Sequence, residues 1–234
     1  MSFLRTTIPL LLVIFAVFAQ GCDKHSQDRA AINIVVDKLI EARDGGEGQK
    51  YSELIATESL EYYDRTLKLA LNGKKADIVS LPFSQRYEIL LIRLLGTRKE
   101  LKGLDAKGYV AWSITGGLHE YMPSPEANLN LGQMIFRKDE AYCDLTIATE
   151  RKRRTKYGGT RTVVEEAPSP YTLRFCLENG QWKFDQSTYS KALDLQIQKE
   201  IQQAEVKEDD ALLYLLGKNT GEQVPANIWN GMPR

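Results

Sequence analysis

The apolar residues of this chain change from helical to strand period near residue 129, and that change restricts the possible folds more than any other feature. Up to about residue 115 they recur every three or four positions, the spacing of one helix face. From Leu129 to about Phe184 they alternate, as in strands with one buried side. Ile32, Val35, Val36 and Leu39 predict a first helix, with Ser26 as its N-cap, Asp28 in its first turn and Gly45-Gly46 as its stop. Tyr51, Leu54, Ile55, Tyr62, Tyr63, Thr66, Leu67 and Ala70 predict a second helical region, broken near residues 57–59 and ended by Asn72-Gly73. After the polar link 74–77, Pro82 suits the start of a third helix. Its residues Tyr87, Ile89, Leu90, Leu91, Ile92, Leu94 and Leu95 leave only a thin polar face, so it is either buried on most sides or meets a partner. Gly96 ends it. Asp105 caps a shorter helix through Tyr109 and Trp112, closed by Gly116-Gly117, and residues 122–125 read as loop.

Strand periodicity then takes over. Leu129, Leu131 and Ile135 alternate in one strand, and Lys138-Asp139-Glu140 turns the chain. Cys143, Leu145 and Ile147 alternate in the next. Residues 151–159 form a basic excursion ending in glycine. A strand resumes over 160–164 before Pro168 and Pro170 interrupt it, and Leu173, Phe175 and Leu177 alternate again. Asn179-Gly180 is a two-residue hairpin signal that sets Leu177 against Trp182 and Phe175 against Phe184. Ser187 or Ser190 caps a last helical region with a narrow stripe, Leu193, Ile197, Ile201 and Ala204, and a further apolar turn at Leu212, Leu213, Leu215 and Leu216. Residues 217–234 are polar and expected to be loose. Helices first and antiparallel strands after them make the class α+β, N-terminal helices packed on one side of an antiparallel sheet, plus a C-terminal helix.

The N-terminus carries a separate message. Arg5 precedes the uncharged run 8–19, apolar except for Pro9; twelve residues are too few to cross a hydrocarbon core of about 30 Å as a helix, but fit the central region of an export signal. Ala19-Gln20-Gly21-Cys22 resembles the lipobox of bacterial lipoproteins, although that family usually has Leu where this chain has Ala19. The resemblance implies removal of residues 1–21 and acylation of Cys22, giving a membrane-lipid anchor. Two or more acyl chains hold stably where one does not. The alternative is an ordinary signal peptide cut near Ala19, with Cys22 a bystander. Asp23 resembles the inner-membrane retention signal of such lipoproteins, and Lys24 beside it weakens that rule. Residues 22–26 then form a short lipidated tether, residues 27–189 the α+β domain, and residues 190–234 a helical extension with a loose tail.

Residues 27–189, closing on Asn179-Gly180-Gln181-Trp182-Lys183-Phe184-Asp185, resemble the nuclear transport factor 2-like fold, in which a curved sheet wraps a helix around a conical cavity. Some members of that superfamily are isomerases or dehydratases and many only bind, so the resemblance leaves activity open.

The first 21 residues hold one arginine and no acid, so the remainder keeps 30 basic and 31 acidic residues, a balance that argues against nucleic-acid binding. Two histidines, His25 and His119, exclude a His-rich metal site, and no nucleotide-binding, hydrolase or zinc-protease motif occurs; no cofactor is expected. Cys143 and Cys176 sit on opposite faces if Leu145 and Phe175 share one, so they read as two separate thiols unless a bulge restores pairing. The basic run Arg151, Lys152, Arg153, Arg154, Lys156 and Arg161 reads either as a solvated hairpin tip or as a contact for anionic headgroups. Candidates for a base or donor in a cavity are His119, Asp64, Asp144, Tyr62, Tyr63 and Tyr109, and no spacing selects a set among them, so none is assigned a catalytic role. The resulting expectation is a periplasm-facing lipoprotein that binds a small apolar molecule or an envelope protein without catalysis. Two alternatives stand beside it: a cavity enzyme, and an assembly factor acting through its C-terminal helix.

Overall fold

The computed structural model describes the backbone of residues 7–121, 129–154 and 160–232, and within these the side chains of residues 25–121, 131–146, 169 and 171–232. Seven helices come first: α1 (Thr7–Asp44), α2 (Gly48–Glu53), α3 (Thr57–Asn72), α4 (Lys75–Ile78), α5 (Phe83–Leu95), α6 (Arg98–Leu101) and α7 (Ala106–Thr115), followed by a 3-10 turn at Leu118–Tyr121. Four antiparallel strands, β1 (Leu129–Arg137), β2 (Glu140–Arg154), β3 (Thr160–Glu178) and β4 (Gln181–Asp185), lie side by side in chain order. Then come α8 (Ser187–Ala204), α9 (Glu208–Thr220) and a 3-10 turn at Ile228–Asn230. The class is α+β, as the change of period requires.

Helix ends follow local chemistry. Gly46 takes φ +66° beyond α1. The Asp105 carboxylate accepts from Gly108 N at 2.7 Å and starts α7. Short α6, absent from the periodicity reading, begins with Thr97 and Glu100 as a reciprocal capping box. The break between α2 and α3 falls at Leu54–Ala56 rather than at 57–59. The cause is long-range: Ala56 N donates to Phe184 O and Phe184 N to Leu54 O, both at 2.8 Å, so β4 pulls these residues out of the helix. At the other end, α1 starts far upstream of Ser26. Residues 22–26 are helical, because no glycine or proline separates Cys22 from Asp44 to break the ladder. Among the described residues no helix is long and apolar enough to cross a membrane.

The α5 helix is the axis of the core, with every residue from Phe83 to Arg93 buried. α3, α8 and α9 pack around it, and α7 packs on α2 and α3. The C-terminal stripe belongs to this interior: Leu193, Ile197, Leu212 and Leu216 are buried, whereas Ala204 is exposed. The tail is not loose either. Ile228, Trp229 and Met232 are buried in the same cluster, the 3-10 turn packing against α5.

The sheet departs from simple alternation at two places. In β1, Gly132 and Gln133 together oppose Asp144, a bulge that puts Met134 inside and leaves Ile135 47% exposed. Ile135 therefore does not share a face with Leu131. In β3 the prolines do not end the strand. Three residues, 169–171, oppose Leu145, and this irregularity absorbs Pro168 and Pro170 while pairing resumes on both sides. Residues 151–154 of the basic excursion are paired strand, with Arg153 opposite Arg161 and Arg154 opposite Thr160, and residues 155–159 lie outside the described residues. The side chains of Arg151, Lys152, Arg153, Arg154, Lys156 and Arg161, like those of Cys22, Asp23 and Lys24 and the loop 122–125, lie outside the described residues. The Asn179-Gly180 turn forms as expected, with φ values of +51° and +77°, and pairs Leu177 with Trp182 and Phe175 with Phe184. Neither Ser187 nor Ser190 caps α8. Buried Asp185 does so, accepting from Ser187 N at 3.0 Å and Ser187 Oγ at 2.7 Å; it also accepts from Ser59 Oγ at 2.7 Å and the Arg174 guanidinium at 2.9 Å.

Candidate functional site

A helix buried on every side can carry a charge only where a partner meets it. The one acid inside the apolar run of α5, Glu88, is 5% exposed and meets two tyrosines. Tyr109 of α7 donates to its Oε1 at 2.6 Å, and Tyr62 of α3 to its Oε2 at 3.1 Å. Burial pushes the Glu88 carboxyl up to about 7, and the two tyrosine hydrogen bonds pull only partly the other way. Burial, reinforced by the Glu88 charge, raises the Tyr62, Tyr63 and Tyr109 phenols well above their ordinary value, so all three remain hydrogen-bond donors. The Tyr63 ring lies 5.5 Å from that of Tyr62 and 5.8 Å from that of Tyr109, and its hydroxyl donates to Gln186.

This cluster lines a cavity of about 690 Å³ between the helices and the sheet. Val36, Leu39 and Ile40 of α1 and Val110 and Ile114 of α7 form one wall; Leu131, Leu145, Leu173, Phe175 and Phe184 of the sheet form the other. Arg43, Asp44, Ser113, His119 and Glu120 add polar groups. The volume falls in the range of small-molecule sites, which are mostly apolar with a few placed polar groups.

Of the sequence candidates, Tyr63, Tyr109 and His119 line this cavity, and Tyr62 reaches it through Glu88. His119, read as a loop residue, sits on the 3-10 turn, with Nδ1 buried and no hydrogen-bond partner among the described residues. Asp64 and Asp144 are elsewhere. Asp64 pairs with Lys68 at 2.6 Å on the outer face of α3, and Asp144 is exposed on the sheet face opposite to Leu145. Glu88 was missed, although a lone acid in an otherwise apolar helical run is itself a signal. Cys143 and Cys176 are free thiols. Cys143 opposes Leu173 and Cys176 opposes Glu140, and burial raises both to about 11, which leaves them poor nucleophiles. Among the described residues no group of three or more His, Cys, Asp or Glu side chains could hold a metal ion.

The carboxyl of Glu88 makes a stability prediction. Its folded value, about 7, lies above the ordinary 4.5, so between these limits the native state binds more protons than the unfolded state. Stability contributed by this group is therefore complete below about pH 4.5 and is lost as pH rises through about 7, by roughly 3 kcal/mol at about 1.4 kcal/mol per unit. Urea unfolding at pH 5 and pH 8 checks this. Glu88→Gln should remove most of the difference and be the more stable protein at pH 8; an unchanged difference would show that other groups produce it.

No family model matches this chain, and none of the curated proteins or solved structures compared with it matches either.

Proposed function

We propose that this chain is a lipoprotein, acylated at Cys22 and facing the periplasm from the inner membrane, whose nuclear transport factor 2-like domain binds a small, mainly apolar molecule. The observation that carries the binding reading is the cavity of about 690 Å³, walled by aliphatic and aromatic side chains and furnished with one buried carboxylate. The anchor reading rests on the export signal and the Ala19-Gln20-Gly21-Cys22 sequence. Support for a partner surface on the C-terminal helices is thin, because their apolar stripe is consumed by the core; Leu195 and Tyr214 remain exposed, at 70% and 66%.

A second reading has its own observation. A carboxyl raised to about 7 beside two tyrosine donors is an arrangement that can move a proton at a carbon next to a carbonyl. One experiment addresses both readings. The full chain is extracted from its native membranes in detergent, and native mass spectrometry is run before and after incubation in D₂O. Binding predicts acylated Cys22 and a co-purifying small molecule of unchanged carbon skeleton. Catalysis predicts deuterium at carbon in that molecule, absent with Glu88→Gln. If Cys22→Ser remains membrane-bound, the anchor reading fails; if nothing co-purifies, the binding reading loses its footing.

A further inference from the structure

The carboxylate of Glu88 is under-partnered by charge. Tyr62 and Tyr109 fill two of its roughly four acceptor positions. Among the described residues no lysine, arginine or histidine pairs with it. The cavity it lines carries three carboxylates, Asp44, Glu88 and Glu120, against one guanidinium, Arg43, and that guanidinium is already held by Asp44 at 2.9 Å. Aromatic rings are plentiful on the same walls: Tyr51, Tyr63, Tyr109, Phe175, Phe184 and Tyr189. Ring faces attract cations, most strongly where water is excluded. A neutral apolar guest would fill the volume but leave Glu88 without a counter-charge, and an anionic guest would be repelled by it.

Building on the binding reading above, we infer that the guest of this cavity is a hydrophobic amine in its ammonium form, with its head against Glu88 among the tyrosines and its hydrocarbon along α1 and the sheet. The ammonium supplies the charge that the interior lacks. Its N–H groups donate to the acceptor positions that the tyrosines leave free.

This assignment carries a pH signature. Ammonium binding requires ionised Glu88, so a proton must leave wherever the free protein holds one. The titratable and charged groups around Glu88 are Tyr62 and Tyr63 on α3, Tyr109 on α7, Tyr51 on α2, Asp194 and Tyr189 on α8, Arg43 and Asp44 on α1, and His119 and Glu120 on the 3-10 turn; the sheet adds buried Asp185 at the end of β4, and its cavity-lining side chains are apolar. A histidine, His119, also lines the cavity, so His119→Asn separates its contribution.

The test is calorimetric titration of the full chain in detergent with three matched probes: 4-phenylbutylammonium, 4-phenylbutanol and 4-phenylbutanoate. At pH 8 the ammonium should bind at least tenfold more tightly than the alcohol, and the carboxylate most weakly. Between pH 8 and pH 6 the ammonium should weaken about tenfold while the alcohol does not change. Glu88→Gln should erase the ammonium's advantage and spare the alcohol, and His119→Asn should keep the pH slope. Alcohol and ammonium binding alike would overturn the inference and leave the cavity reading standing, as would preference for the carboxylate. Failure of all three probes to bind would overturn both.

Discussion

Replacing Arg93 with methionine is expected to destabilise the protein by about 3–5 kcal/mol, read from urea unfolding followed by tryptophan fluorescence. The side chain lies 8% exposed in α5. Its Nε donates to Ala70 O at 2.9 Å, one terminal nitrogen to Ile228 O at 2.9 Å, and the other to Leu69 O at 2.8 Å and Gly73 O at 2.6 Å. The guanidinium meets the C-terminal end of α3 there: Leu69 O also accepts from the N–H of Gly73, the residue that caps the helix, and the negative end of the helix dipole points at the same guanidinium. Burial lowers the Arg93 group to about 10, which still leaves it charged at neutral pH. Methionine fills similar space but donates nothing, so several buried carbonyls lose their partner together. Lysine should recover part of the loss, since one ammonium has three donors but not the planar spread that reaches two segments. A methionine variant within about 1 kcal/mol of the parent would sink this account.

The second large effect is steric. Gly48 opens α2 where that helix crosses α7, and a methyl group built there would lie 2.6 Å from the carbonyl carbon and 2.7 Å from the Cα of Ala111. Both obstacles are backbone, so relief means prying two helices apart. Gly48→Ala should cost about 3 kcal/mol or more, at or beyond the upper end for overpacking. Gly217, inside α9 and with its nearest neighbour at 3.4 Å, should respond with the opposite sign. Alanine there is expected to add roughly 0.5–1 kcal/mol by restricting the unfolded chain. Thermal melts of the two variants side by side test the contrast; similar behaviour would mean that packing at the α2–α7 crossing is looser than drawn.

Punctuation was the most legible part of the sequence. Gly45-Gly46, Asn72-Gly73, Gly96, Asp105 and Asn179-Gly180 all mark real boundaries, because each acts through a local backbone preference that distant residues do not overrule. The errors come from non-local causes. The Leu54–Ala56 break depends on β4, which is more than a hundred residues away in the chain. Ile135 is outside because Gly132 and Gln133 insert one extra residue, and a pattern of single alternating residues carries no mark of that insertion. The cap of α8 was sought in the serines, the usual cap residues, while Asp185, already bonded to Ser59 and Arg174, does the capping from the end of the strand. Tyr63, Tyr109 and His119 were candidates by residue type, but only the packing of α3, α5 and α7 brings the tyrosines around Glu88. Glu88 was hidden by its company: counted among leucines and isoleucines it looked like part of a thin polar edge, and the absence of any such edge on α5 is a property of the whole fold.

The bond from Arg93 to Ile228 spans 135 positions of the chain. Until Ile228, Trp229 and Met232 arrive, their place beside α5 stays open and the carbonyls at the end of α3 lack their full clasp. A polypeptide of this design cannot finish its interior until residues 228–232 have been delivered. If it is threaded through a membrane before it folds, that dependence works in favour of passage: the incomplete globule is the weaker obstacle, and completion waits for the far side.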